Sequence, residues 1–259
     1  MNGRPVAIIT GAATGVGAAS ARWFAVHGHD VIVNFCASEK EATTVVADCR
    51  AAGVDAIAVQ GDVSIDADCR RMADVAMHKW GRIDVLVNSA GTTLFRSMLD
   101  LEALNADDFA TIFSVNLVGP YQMTRAVAAF MATGRGAIVN VSSVGGASGT
   151  GSSYAYAASK GALNTLTIAL ARNLAPRIRV NAVLPGMVQG RWLREGVGDE
   201  AYERVRKNFV QDAALGIVAT PEQVADTIGW LATAADIVTG QLITVDAGLS
   251  LGRPPKVEK

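Results

Sequence analysis

The stretch Val6-Ala7-Ile8-Ile9-Thr10-Gly11-Ala12-Ala13-Thr14-Gly15-Val16-Gly17 decides the fold. Its opening residues are continuously apolar up to Thr10, the pattern of a short strand buried on both faces of a sheet. Three glycines follow with the spacing GxxxGxG, and an amphipathic helix carrying Trp23 and Phe24 comes next. Strand, glycine turn and helix in that order aim backbone N–H groups and the positive helix end at one edge of a parallel sheet, where they can cradle a phosphate. The spacing is not the GxGxxG of the usual dinucleotide fingerprint. No Lys follows as a P-loop needs, which argues against a phosphotransferase.

Working outward, the same alternation recurs. Short runs rich in Val and Ile stand at Asp30 to Phe35, Ala56 to Gln60, Val85 to Asn88, Ala137 to Ser142, Arg179 to Leu184 and Leu242 to Asp246. The segments between them carry helix punctuation. Gly28, Gly53 and Gly81 sit where a left-handed residue ends a helix, and Asn105 with Asp107 and Asp108 starts one spanning Asp107 to Met131. Thr220-Pro221-Glu222-Gln223 is a capping box with proline at the first helical position. The expected fold is α/β: a single Rossmann-like domain over residues 1–259, with a doubly wound seven-stranded parallel sheet and helices on both faces.

In such a sheet ligands bind beyond the carboxyl ends of the strands, so the residues there are the candidates. For a dinucleotide these are Gly11, Thr14, Gly15, Val16 and Gly17 in the first loop, then Asn34 where an NAD-selective acid would grip the ribose. The acid's absence, with Ser38 and Lys40 nearby to hold a 2'-phosphate, favours NADP and leaves NAD open. Asp62 with Val63 suits the adenine, and Asn88, Ser89, Ala90 and Gly91 close the fourth strand. Ser143 ends the fifth, and the glycine-rich run from Gly145 to Gly151 leads into a helix bearing Tyr156 and Lys160. Four residues apart on a helix, those two side chains project from one face, and an ammonium beside a phenol brings its pKa toward the working range. Such a pair alone is common in helices without function; its position at the crevice gives it chemical meaning. Asn116 lies inside the preceding helix.

Composition excludes several classes. The net charge is -1 with 18% charged residues and no basic run, so nothing suggests a nucleic-acid or anionic-membrane surface. No stretch is long enough to cross a bilayer, and Val6 to Thr10 is too short for the apolar region of a signal peptide. Cys36, Cys49 and Cys69 form no metal-binding spacing and read as reduced thiols of a cytoplasmic protein, with no metal expected. His27, His29 and His78 lie far from the crevice residues in sequence and take no role. The tail from Arg253 to Lys259 is expected to fray.

Taken together, Thr10 to Gly17, Asp62, Asn88 to Gly91, Asn116, Ser143, Tyr156 with Lys160, Pro185-Gly186 and Asp246-Ala247-Gly248 resemble the single-domain short-chain dehydrogenases/reductases, over nearly the whole chain. The nearest branch is that of the 3-oxoacyl-[acyl-carrier-protein] reductases and related sugar and alcohol dehydrogenases. The resemblance implies hydride transfer between a nicotinamide cofactor and a small carbonyl or alcohol substrate. Tyr156 would be the acid of reduction and base of oxidation, Lys160 its pKa-lowering partner, Ser143 the orienter of the substrate oxygen and Asn116 a holder of a relay water. Pro185, Gly186 and Val188 would flank the nicotinamide, Met187 to Leu215 would form a substrate lid, and the assembly would be a homotetramer. Three departures stand out: Ser89 replaces a frequent Asn, Gly190 a frequent Thr that binds the carboxamide, and Thr14 an Arg common in NADP users. A sugar or secondary-alcohol dehydrogenase working oxidatively, and a dinucleotide-binding regulator without catalysis, are the alternatives.

Overall fold

A computed structural model describes residues 3–133 and 136–252; the tail expected to fray lies outside the described residues. Seven parallel strands form one sheet: β1 (Val6–Thr10), β2 (Asp30–Phe35), β3 (Ala56–Gln60), β4 (Val85–Asn88), β5 (Gly136–Val141), β6 (Ile178–Pro185) and β7 (Leu242–Val245). Their order is β3-β2-β1-β4-β5-β6-β7. The chain reverses its direction of travel between β1 and β4, and the connecting loops part there, opening a crevice at the carboxyl edge. Register aligns the ends that line it, with Thr10 opposite Asn88 and Asn88 opposite Asn140.

Alternate residues of each strand feed two cores. Ile9, Val33, Val87 and Val139 face α1 (Gly15–Val26), α2 (Glu39–Ala51) and α10 (Pro221–Thr233), where Phe24, Val45 and Ile228 meet them. Ile8, Ile32, Leu86 and Ile138 face α3 (Asp66–Trp80), α5 (Gly119–Ala128) and α7 (Tyr154–Leu174), and pack on Met72, Met123 and Ala171. Each such fully buried aliphatic side chain contributes about 1.5–3 kcal/mol, which holds the sheet rigid beneath the crevice. The other helices are α4 (Ala106–Phe113), the short α6 (Gly145–Ser148), α8 (Arg191–Val197) and α9 (Asp199–Asp212). The last two belong to the segment 187–215, whose Met187, Tyr202, Phe209 and Ala213 build a third small core with Val218.

The helix expected over Asp107 to Met131 is in fact broken. α4 ends at Phe113, a π-helical turn covers Ser114–Val118, and α5 resumes at Gly119. Pro120 has no N–H to return to the carbonyl of Asn116 four residues earlier, so the helix widens at that point. The capping box expected at α10 forms, Thr220 with Gln223, and a second one, Asn105 with Asp108, opens α4.

Candidate active site

The crevice is a cavity of about 1190 Å³. One end is lined by Gly11, Thr14, Gly15 and Val16, the other by Ser143, Tyr156 and Lys160, with Ala90, Gly91, Pro185, Gly186 and Val188 between. The fold therefore brings the glycine loop and the Tyr/Lys pair into one space. Its volume exceeds the roughly 300–1,000 Å³ of a pocket for one small ligand, leaving room for two.

The glycine loop fits a dinucleotide. Gly11 and Gly15 hold φ of +62° and +55°. A Cβ on Gly17 would lie 2.4 Å from the Gly11 carbonyl oxygen, so only glycine lets α1 begin that close to the loop. Thr14 precedes α1 without a side-chain cap, which leaves its first-turn N–H groups to an anion. Thr10 Oγ1 accepts from the amides of Ser89 and Ala90 at 3.0 and 3.1 Å, tying the first and fourth loops together. Beside them the buried Oδ1 of Asn88 has no partner, an acceptor that a bound molecule would satisfy. Asp62 lines a separate cavity of about 470 Å³ with Cys36 and Gln60, its Oδ1 accepting from Ser64 N–H and Oγ–H. Val63 is buried, and its carbonyl accepts from Gln122 Nε2 at 2.8 Å.

Asn34 corrects the sequence reading. It is 2% exposed; its Oδ1 accepts from the Gly11 N–H at 3.1 Å, and its Nδ2 donates to the carbonyls of Val59 and Gly61 at 3.2 and 3.0 Å. The side chain is turned under the glycine loop as a brace and presents nothing to a ribose. Ser38 stands at the start of α2, and a guanidinium, absent from its sequence neighbourhood, arrives from α8. Arg191 Nη2 lies 3.4 Å from Ser38 Oγ, and Nη1 lies 3.0 Å from Glu41 Oε1. A separation of 153 residues hides this meeting from the sequence.

At the other end, Ser153 caps α7, its hydroxyl accepting from Tyr156 N–H, which sets the first helical turn and with it the phenol. Gly146 packs on the α7 backbone so closely that a Cβ would lie 2.5 Å from the Lys160 carbonyl carbon. Burial pushes the Tyr156 phenol up to about 12, partly opposed by the nearby Ser143 hydroxyl. Burial also pushes Lys160 down to about 8. The expected lowering of the phenol by the amine is thus corrected. Lys160 Nζ donates to the Val141 carbonyl at 2.8 Å and sits 5.7 Å from the Tyr156 ring centroid, so desolvation dominates both groups.

Asn116 is fully buried, with Oδ1 accepting from Thr92 N–H at 2.8 Å and Nδ2 donating to Thr92 O and Ser159 Oγ at 2.9 and 3.0 Å. Both amide protons are engaged within the protein. The group without its usual helical donor is the main-chain carbonyl opposite Pro120. Two aromatic rings, Trp192 of the expected lid and Phe95, complete the cavity. Trp192 lies 5.7 Å from Tyr156 and 5.9 Å from Phe95, centroid to centroid. Among the described residues no group of three or more His, Cys, Asp or Glu side chains is arranged to hold a metal ion.

Residues 11–250 match the family described as Enoyl-(Acyl carrier protein) reductase. The chain is a short-chain dehydrogenase/reductase. It is 36% identical to a 3-oxoacyl-[acyl-carrier-protein] reductase of Synechocystis, over 94% of this chain and 96% of that protein. It is 34% identical to a 7alpha-hydroxysteroid dehydrogenase of Bacteroides fragilis, over 96% of this chain and 95% of that one. A crystal structure of a Burkholderia xenovorans protein assigned to the short-chain dehydrogenases/reductases superposes with a TM-score of 0.89 at 42% identity, covering 97% of this chain and all of that one. An oxidoreductase of this family, near its 3-oxoacyl-[acyl-carrier-protein] reductase branch, accounts for the shared cavity of glycine loop and Tyr/Lys pair.

Proposed function

We propose that this short-chain dehydrogenase/reductase interconverts a carbonyl compound and its alcohol, using NADP in preference to NAD, with Tyr156 as the proton carrier. The observation that carries the reading is the Tyr156 phenol, set with Ser143 and Lys160 in the same cavity as the glycine loop. The loop from Gly11 to Gly17 holds the pyrophosphate, and Pro185, Gly186 and Val188 flank the nicotinamide. When bound, the cofactor supplies or accepts the hydride at the carbonyl carbon. Ser143 orients the substrate oxygen and Tyr156 delivers the proton to it. Lys160, held at Val141, keeps a cation within reach of the phenol, and the Asn116 carbonyl anchors the water behind it.

A phenol with its pKa raised to about 12 is protonated at neutral pH and ready to donate the proton that reduction needs. Oxidation needs the phenolate, whose fraction grows with pH, and its rate therefore rises toward alkaline pH. A 3-oxoacyl thioester is one substrate class; a secondary alcohol or sugar taken oxidatively is the other. Arg191 at Ser38 supports NADP, because it brings a guanidinium to where a 2'-phosphate would lie. The segment 187–215 acts as the substrate lid. Exposed apolar side chains on α4, α5 and α7, Phe109, Tyr121 and Ile168 among them, support a homotetramer; light scattering giving a monomer's mass would remove it. No described helix is long and apolar enough to cross a membrane, and we place the enzyme in the cytoplasm.

Tyr156→Phe tests the reading. It should lower kcat by roughly 10²–10⁴-fold while NADPH binding stays within about threefold. Undiminished turnover in that variant would refute the mechanism. Tight NADPH binding without turnover of any carbonyl or alcohol by the unaltered protein would point instead to a regulator.

A further inference from the structure

One ring lies against the proton donor and a second backs it. Trp192 is 50% exposed, lies against Tyr156 on one side and meets Phe95 edge to face on the other. Neither ring is placed by chance packing of a loose loop. The segment carrying Phe95 is tied to the entry of α7 by Arg96 N–H donating to Ser152 O at 2.9 Å, by the Thr93 and Ser152 hydroxyls at 2.6 Å, and by Tyr154 Oη donating to Met98 O at 2.6 Å. Phe95 in turn packs on Gly196 of α8, where a Cβ would fall 2.0 Å from the ring. Glycine at that position is what lets the ring and α8 approach.

The same lining includes the apolar Met187, Leu193, Val197 and Phe209, with the uncharged polar Ser97, Ser152 and Gln189 among them. Among the described residues the cavity lining contains no carboxylate, and its cations are Arg96, Lys160 and Arg191. Lys160 is held by Val141 and Arg191 by Glu41, which leaves Arg96 as the one cation not engaged with a distant group; its Nη1 donates to the neighbouring Phe95 carbonyl. A substrate body next to Tyr156 thus meets flat aromatic and aliphatic surface and few charges. Ring faces are best covered by other flat, apolar groups, with stacking or edge contacts adding to the area buried.

We propose that Trp192 and Phe95 form a substrate-binding wall that selects a carbonyl carried on a flat apolar ring system, a cyclic or aryl ketone, over a straight-chain 3-oxoacyl thioester. The inference rests on Tyr156 acting as the proton carrier and adds the class of substrate it serves.

The test compares α-tetralone with the acetoacetyl thioester of N-acetylcysteamine, NADPH being the reductant, in wild type, Trp192→Ala and Trp192→Phe. Wild type should reduce the ring ketone with a kcat/KM at least about tenfold higher. Trp192→Ala should lose about tenfold on the ring ketone, mainly through KM, and less than about threefold on the thioester; Trp192→Phe should restore most of the loss. Because Trp192 is half exposed, melting of all three proteins should coincide within about 3 °C. A wild type that prefers the thioester, or a Trp192→Ala that loses equally on both, overturns the ring-selecting wall while leaving the oxidoreductase reading intact. Failure to reduce either compound or any other carbonyl overturns both.

Discussion

Asn34 shows how one buried side chain can brace a glycine loop from beneath. Its amide uses both ends, an acceptor for Gly11 and donors for two carbonyls, which an acidic residue at the same place does not reproduce. Asn34→Asp would put a carboxylate opposite the oxygens of Val59 and Gly61 in a site 2% exposed. We expect a loss of about 2–4 kcal/mol by denaturant unfolding and no gain in NADH preference. A stable variant that switches to NADH would show that the side chain faces the ribose after all. Tyr156 makes the complementary point. Its spacing from Lys160 was legible in the sequence, but the direction of its pKa was not, because a helical repeat says which groups share a face and nothing of how dry that face is.

At the scale of elements, the strands were legible to within a residue or two. Continuous apolar runs such as Val85 to Asn88 can only be buried, and short buried runs separated by helices have few other uses. The break at Ser114–Val118 was missed, although Pro120 was the available signal: four residues after Asn116 it removes the donor that an unbroken helix needs. Helix against helix, the close crossing of α1 and α10 depends on a residue that propensity alone would replace. A Cβ on Gly229 would lie 2.3 Å from the Trp23 ring. Gly229→Ala gains up to about 1 kcal/mol of helix propensity but must part the two helices, for a net loss of about 1–2 kcal/mol. Thermal unfolding measures it, and a variant more stable than wild type would mean that Trp23 swings aside at no cost.

Across the whole molecule, the contacts that define the cavity join segments far apart in sequence. The Arg191 pair with Glu41 has side chains 46% and 41% exposed, and an ion pair so open is worth no more than about 1 kcal/mol. The guanidinium can therefore turn to a phosphate at Ser38 at little cost. Arg191→Ala should raise KM for NADPH about tenfold and change KM for NADH by less than about threefold; equal changes for both cofactors would remove Arg191 from the phosphate site. The sequence by itself determined the sheet, the glycine loop and the pairing of Tyr156 with Lys160. Each depends on neighbours within one strand, turn or helix, where residue type and spacing act directly. Only the tertiary structure decided that Asn34 turns inward, that Arg191 reaches Ser38 and that Trp192, backed by Phe95, lies against the phenol. Those side chains are placed by crossovers and packing between residues tens to more than a hundred positions apart, and no local pattern records where such segments meet.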